Sequence, residues 1–491
     1  MATTALGAGD SNQGIFPATI HLPRERRLTL ISLTSLVFFT TCGGAYGVEP
    51  LIGAVGPALA VLFLLVTPFV WSLPMSLMVA ELTTLLPEEG GYYIWVRDAL
   101  GPFWGVQEAV WTMSAGVALL AMFPVLFVSY LAYFLPGLAA DSAHPLLGAF
   151  LRWLLAFLVT VTAMIVNLRG SREVGNSAKI GASIVLGAFV MLVVSGAFWG
   201  PGAGRTMGTI RQDWAAHRSG ALLLGLSYVV FNYSGWDNIS TYAEEVDRPQ
   251  RNYPMAIGIA LIVVTLTYLL PVIAGIGATI DPRIWSAEAG WPAVAKAVGG
   301  RWLGGLLAAA GLVSTWGLFN AQLLYVSRLP FVMARDGWLP KTLAKVSPET
   351  AVPKLAVIGF CALTAVFIAL SFKSLAVIQC LTYAAALTLE FFALIVLRLR
   401  RPDASRGFKV PGGWLGIAYV CILPIAFASL VVYATVRDWR SFPGQMAVVA
   451  AAVAGGIALY LVRRKAVLAR QIFPESSRTA NCILFRRTRA H

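Results

Sequence analysis

Charge is scarce in this chain of 491 residues: Asp, Glu, Lys and Arg together make up 12% of it, against about 25% in an ordinary soluble protein. With 58% hydrophobic residues and a mean hydropathy of +0.74, a water-soluble globule of this size could not hide its apolar surface. The bilayer is therefore the solvent for most of it. A cytosolic enzyme, a secreted disulfide scaffold and a disordered chain are excluded. Cysteine is sparse as well. The five (Cys42, Cys361, Cys380, Cys421, Cys482) are widely spaced, four of them inside apolar runs, with no CxxC pair. That argues against a disulfide framework or a zinc site. The four histidines (His21, His144, His217, His491) lie in loops and tails, so no metal cluster and no cofactor are expected within the membrane. Acidic residues are the rarer charge, 23 against 37 Lys and Arg, for a net charge of +14. This surplus does not point to nucleic acid. The basic residues sit in short loops and tails, as the positive-inside rule requires, and no RNA- or DNA-reading module accompanies them.

What the chain has in abundance is apolar runs. Twelve are delimited, at about 28–52, 57–81, 103–135, 146–168, 176–199, 220–243, 254–279, 301–330, 353–372, 374–399, 413–435 and 443–462. Each supplies roughly the 20 residues that cross the hydrocarbon as a helix. Helices are required because open strands would leave amides unpaired in lipid. Residues 1–27 are polar, end in Arg24, Arg26 and Arg27, and read as a cytoplasmic tail rather than a cleaved signal. With this tail inside, the inner loops and tails carry 26 Lys and Arg and the outer ones 10. That bias places both termini in the cytoplasm of a multi-pass protein of the cell (inner) membrane. The last tail, 463–491, holds eight basic residues and reads as an anchor on anionic lipid. No soluble domain is inserted, and no obligatory protein partner is evident.

Two spans depart from a smooth run. Thr41-Cys42-Gly43-Gly44-Ala45-Tyr46-Gly47 interrupts the first, and Asn232-Tyr233-Ser234-Gly235-Trp236-Asp237-Asn238 interrupts the sixth. Glycine removes the steric penalty on non-helical backbone, and Asn and Asp favour caps and turns. Unwound backbone at membrane depth is tolerable only where it lines a cavity or meets a ligand. Gly-Gly in a membrane helix serves close packing equally well. Two breaks five spans apart match the pattern of inverted-repeat secondary transporters. That reading rests on their positions, since no similarity between the halves is legible by eye.

At these residues the chain resembles the amino acid–polyamine–organocation superfamily of permeases, nearest to bacterial amino acid permeases and the plant polyamine-uptake branch. The resemblance is carried by GGAYGVE (43–49), AELTTLLPEEGGYYIWV (80–96), ALGPFWG (99–105), FNYSGWDNISTYAEEVDRPQRNYPMAI (231–257), MARDGWLP (333–340) and LEFFALIVLRLRRPDASRGFKVP (389–411). It implies an all-α integral membrane protein of 12 transmembrane helices with the leucine-transporter-type fold. Residues 28–199 and 220–399 would form a 5+5 inverted repeat, with 413–462 as two extra peripheral helices. It further implies a secondary active transporter, not an enzyme, that imports amino acids by alternating access, coupled to protons. A polyamine transporter or an amino acid exchanger of the same fold is the alternative.

A zwitterionic substrate needs donors for its carboxylate and acceptors for its ammonium. Half-helix ends supply both. The expected site is Thr41, the amides of Gly43, Gly44 and Ala45, and the carbonyls of Phe231 to Ser234, with Gly235 and Asp237 in the second break. The resemblance implies that the Phe231 ring closes over the substrate; packing is its ordinary role. Four ionisable residues lie in or at the edge of apolar spans: Glu108, Lys179, Asp237 and Glu390. A charge at mid-bilayer costs at least about 2.5 kcal/mol, which makes each a functional candidate. Asp237 is either the cap of the second half-helix or the partner of an amine. Lys179 reads as a snorkelling lysine. The resemblance instead implies an ammonium bridging the first and eighth spans, with Ser314 and Thr315 as partners, able to take the coupling proton. Glu390 either relays protons or pairs with a basic loop, and Glu108 has the same two readings, of which the structural one is preferred. The resemblance also implies acidic residues of the plant branch where this chain has Leu119, Gln322 and Val326. Each buried ammonium must be paired, so their absence favours an amino acid, cationic ones included, over a long polyamine. A membrane enzyme would need a nucleophile–base or metal constellation, and none is visible. A channel would need a continuous polar pore.

Overall fold

The computed structural model describes residues 27–138, 145–198, 202–215, 222–286, 289–370, 372–437, 440 and 443–472. The four histidines, Cys482 and most of both tails lie outside these residues. In chain order the helices are α1 (Leu30–Thr41), α2 (Glu49–Thr67), α3 (Leu73–Leu85), α4 (Tyr92–Leu100), α5 (Pro102–Leu131), α6 (Pro145–Leu168), α7 (Ser171–Phe198), α8 (Gly202–Ala215) and α9 (Leu222–Asn232). After a 3₁₀ helix (Asn238–Glu245) come α10 (Pro249–Ala278), α11 (Pro282–Trp285), α12 (Trp291–Gly299), α13 (Arg301–Val326), α14 (Arg328–Arg335), α15 (Lys354–Phe367), α16 (Phe372–Arg400), α17 (Gly413–Arg437) and α18 (Pro443–Ile472). Nine helical stretches among the described residues are long and apolar enough to cross a membrane. With α1, α15 and the sixth span they account for all twelve predicted spans. No strand is formed among the described residues.

Both predicted interruptions are real. Helix α1, capped by the Thr29 hydroxyl, stops at Thr41, and helix resumes at Glu49. Between them Gly43, Gly44 and Gly47 all adopt positive φ, which is open to glycine without steric cost. The sixth span ends as α9 at Asn232 and resumes as the 3₁₀ helix at Asn238, with Gly235 at φ +99°. A third reversal, Gly56 at φ +81° followed by Pro57, separates the second half of the first span from the second span. The amphipathic helices α4, α8, α12 and α14 in the connections, and the single turn α11, were not delimited from sequence. The ninth span is shorter than predicted and the twelfth runs ten residues further.

Burial sorts the helices. In α5 and α16 67% of the span is buried inside the protein, and in α18 only 11%. Helices α5, α13 and α16 therefore form the centre around the two breaks, and α6, α17 and α18 pack outside with their apolar faces toward lipid. Every quoted motif except GGAYGVE, which forms the first break, contributes to one end of this bundle. There Arg328, fully buried, makes two hydrogen bonds to Glu245 at 2.9 and 2.8 Å and lies 3.6 Å from Glu89. Arg97 pairs with Asp336 at 2.6 Å, and Glu81 holds Arg398 and Arg406. Leu28 exchanges backbone hydrogen bonds with Glu245 (2.9 Å) and Asp247 (3.0 Å), tying the start of α1 to the end of the 3₁₀ helix.

Candidate functional site

The two breaks meet around a cavity of about 100 Å³. Its wall includes Thr40 to Cys42, Tyr46 and Gly47 from the first break, and Phe231, Asn232, Ser234 and Gly235 from the second. Helix α5 adds Thr112, Ala115 and Leu119, α13 adds Thr315, Leu318, Gln322 and Tyr325, and α16 adds Gln379 and Tyr383. Tyr268 of α10 joins the facing C-terminal ends of α1 and α9: its hydroxyl donates to the carbonyls of Asn232 (2.6 Å) and Thr41 (3.3 Å). These are two of the orphan carbonyls that every helix end must satisfy.

The hydrogen bonds of the wall run one way. Thr40 and Thr41 donate to the Val37 carbonyl, Ser234 to Val230, and Thr315 to Gly311. Thr112 donates to Glu108 at 2.8 Å and Tyr383 to Asp237 at 2.5 Å. The Asn232 amide donates to the carbonyls of Gly47 and Tyr228, and the Gln322 amide donates to Thr40, leaving its own oxygen without a partner. A hydroxyl whose proton is committed elsewhere has only lone pairs left to offer. These groups turn lone pairs toward the cavity, while the side-chain donors of Gln379, Asn238 and Tyr325, also in the wall, have no acceptor among the described residues.

Behind it stand three acids. Asp237, Glu108 and Glu390 are at most 1% exposed, and each has a carboxylate oxygen with no hydrogen-bond partner. They lie close enough to act electrostatically on one another. Lys and Arg are absent from the cavity wall. Asp237 occupies the cap position of the 3₁₀ helix, yet its side chain makes no capping hydrogen bond; it bonds Tyr383 instead. Among the described residues Glu390 forms no ion pair, and Arg398, leading into the basic loop, is held by Glu81.

Of the residues expected at the site, Thr41, Phe231, Ser234 and Gly235 line the cavity, and Asp237 reaches it through Tyr383. Gly43, Gly44 and Ala45 do not line it. The Gly43 amide is bonded to Phe38 (2.9 Å), and a Cβ on Gly44 would meet Val185 and Phe189 of α7, away from the cavity. The second break's carbonyls are partly taken: Phe231 accepts from the Ser234 amide, Asn232 from Tyr268, and Tyr233 from the Trp236 indole. Lys179 is half-buried on α7, and its ammonium has no hydrogen bond or ion pair among the described residues. Ser314 bonds the Gly43 carbonyl directly, so α1 and α13 meet without a lysine between them. Leu119 and Gln322 line the cavity, whereas Val326 packs on Gly116. No group of His, Cys, Asp or Glu among the described residues is placed to hold a metal.

Tyr268, Tyr383 and Thr112 were missed from sequence. Their signal was a hydroxyl inside an apolar run, which must find a partner in lipid.

Comparison with known proteins matches residues 28–453 to the Amino acid permease family model. A protein of Arabidopsis thaliana named as a probable polyamine transporter is 35% identical over 409 residues, 83% of this chain and 79% of that protein. A polyamine transporter of Oryza sativa subsp. japonica is 33% identical over 410 residues, 83% of this chain and 73% of its own length. The human cystine/glutamate transporter is 28% identical over 418 residues, 80% of this chain and 78% of its own.

Proposed function

Because the chain belongs to the amino acid permease family, we propose that it is a secondary active transporter of the cell membrane whose central cavity takes an organic ammonium ion, a polyamine above all. The observation that carries this reading is a wall most of whose hydroxyls donate away from the cavity, backed by three acids. An ammonium is a pure donor and finds partners on every side. A carboxylate would find few donors, since the amides expected to receive it do not line the cavity. Lys179, whose charge would disfavour a cation, does not reach the site. The relatives named as polyamine transporters support the same choice. It departs from the amino acid favoured on sequence grounds, which weighed missing acids at Leu119, Gln322 and Val326 but not the grouping of the three present.

Buried carboxylates without a cation must be neutralised, by protons or by substrate. Competition between the two for Asp237, Glu108 and Glu390 links amine movement to proton movement. With the basic-rich loops in the cytoplasm, the end that holds Arg328 faces inward. A second reading, amino acid transport, draws on the human relative.

Uptake into proteoliposomes separates the two. Labelled putrescine, spermidine, arginine and a neutral amino acid are offered with and without a pH gradient. The expected result is accumulation of the amines that responds to the gradient and falls about tenfold or more in Asp237→Asn, the scale of a lost charged hydrogen bond. Transport of the neutral amino acid, unaffected by excess amine and by Asp237→Asn, would overturn it.

A further inference from the structure

Glu49 is fully buried at the start of α2, and no cation pairs with it among the described residues. Its Oε2 accepts from the Gly47 amide at 2.7 Å, and its Oε1 accepts from the Trp291 amide at 3.3 Å. Trp291 opens α12, a nine-residue helix in the connection between α10 and α13. The carboxylate thus sits at the N-terminus of that helix, where its orphan amides and partial positive charge favour an anion. The same tryptophan reaches further. Its indole N–H donates to the Ala45 carbonyl at 2.6 Å, and its ring meets Phe189 and Trp285 edge-on.

Residues 45, 47 and 49 alternate along the unwound segment, and the two between the ends of this pattern that matter to the cavity are Tyr46 and Gly47, both in its wall. No residue of α12 is in that wall. Unwound backbone has no helical hydrogen bonds to define it, so its shape is set by bonds from outside. Here Ser314 holds Gly43, Asn232 holds Gly47, and Trp291 with Glu49 holds both flanks of Tyr46.

We propose that Trp291 and Glu49 are positioning residues for transport, holding the unwound segment of the first span in the shape that the cavity requires, from a loop helix that does not touch substrate. The role rests on the cavity being the transport site; it does not depend on which amine is carried.

Cys42 provides a reporter, because it lines the cavity and is buried beside this segment. Purified full-length protein in nanodiscs, open to reagent from both faces, is treated with a maleimide, and modification of Cys42 is followed by mass spectrometry, with Cys42→Ser as the blank. Trp291→Phe keeps the ring contacts and deletes the bond to Ala45. The rate at Cys42 is expected to rise about fivefold, the ratio that one buried hydrogen bond is worth, with a comparable rise in the KM for amine uptake and a smaller change in the maximal rate. Glu49→Gln, which keeps an acceptor for one of the two amides and turns an NH2 donor toward the other, is expected to do the same. Trp153→Phe is the control: it deletes an indole bond to the Ala365 carbonyl between α6 and α15, with no contact to Trp291, and leaves Cys42 at the native rate. Equal effects of Trp153→Phe and Trp291→Phe, or native rates in both Trp291→Phe and Glu49→Gln, would overturn the proposal. The thiol measurement needs no substrate, so it stands or falls apart from the choice of an amine.

Discussion

At the scale of single residues, the informative feature of this protein is the buried acid without a cation. Asp237, Glu108 and Glu390 were legible in the sequence because a charge in an apolar run stands out. Their hydroxyl partners were not, because Thr112 and Tyr383 look like ordinary packing residues until their protons are seen to point at carboxylates. Lys179 shows the converse. Its place in the chain resembles that of a functional lysine, yet rotation about α7 leaves it half-buried and away from the break. Glu89 is an acid of a different kind, in the connection between α3 and α4. Burial pushes its carboxyl well above the usual 4.5, and the charge of Glu245 adds to this against the pull of Arg328. The folded state therefore holds a proton there that the unfolded chain releases. The stability this contributes is complete below about pH 4.5 and is lost as pH rises toward the folded value. Glu244 and Arg335 also face the group and act in opposite senses. Glu89→Gln is expected to match the native protein in thermal midpoint near pH 5 and to exceed it by a margin that widens toward pH 8. A lower midpoint than native at pH 8 would mean that Glu89 serves Arg328 as an ionised partner.

Individual elements follow the sequence where composition is extreme. Long apolar runs became helices, and Gly-rich interruptions became breaks, because glycine is the residue that reaches positive φ freely. The connecting helices α4, α8, α12 and α14 were not legible: each is only eight to fourteen residues long, and its periodicity is lost beside the runs that flank it. The break of the sixth span gives this scale its test. Gly235 sits at φ +99°, and a Cβ there would lie 2.3 Å from the Thr40 carbonyl oxygen, a contact with backbone that no side-chain rotation relieves. Gly235→Ala is therefore expected to push the two breaks apart. Transport should be lost, with destabilisation of about 1–3 kcal/mol from backbone strain, read as a lowered unfolding midpoint. Gly258→Ala, at a helical glycine with open space around it, should leave both unchanged. Wild-type uptake by Gly235→Ala would show that the close approach of the breaks is dispensable.

For the molecule as a whole, the question is what holds α1 in place at the end where Arg328 lies. Which motif meets which could not be read from one sequence, since pairing across hundreds of residues leaves no local trace. In space, the start of α1 is fixed to the end of the 3₁₀ helix by the two backbone bonds of Leu28, and that end is fixed by the Glu245 side chain on Arg328. Opening a path from the cavity to this face by moving α1 has to break the first pair of bonds, and the second interaction holds their acceptor in place. Arg328→Met leaves Glu245 buried and unpaired, which costs about 3–5 kcal/mol, and poor folding is the expected result. Arg328→Met combined with Glu245→Leu removes both charges and is expected to restore folding, because a buried ion pair replaced by apolar groups of similar size is often neutral in stability. The double variant then isolates the positional role. Hydrogen exchange at the amides of Leu28 and Asp247 is expected to accelerate in it by about tenfold or more, as each 1.4 kcal/mol of lost local stability allows, while amides in the centre of α5 keep their protection. Unchanged exchange at Leu28 in a folded double variant would show that the backbone bridge and the packing of α1 against α7 and α10 hold α1 without help from Arg328.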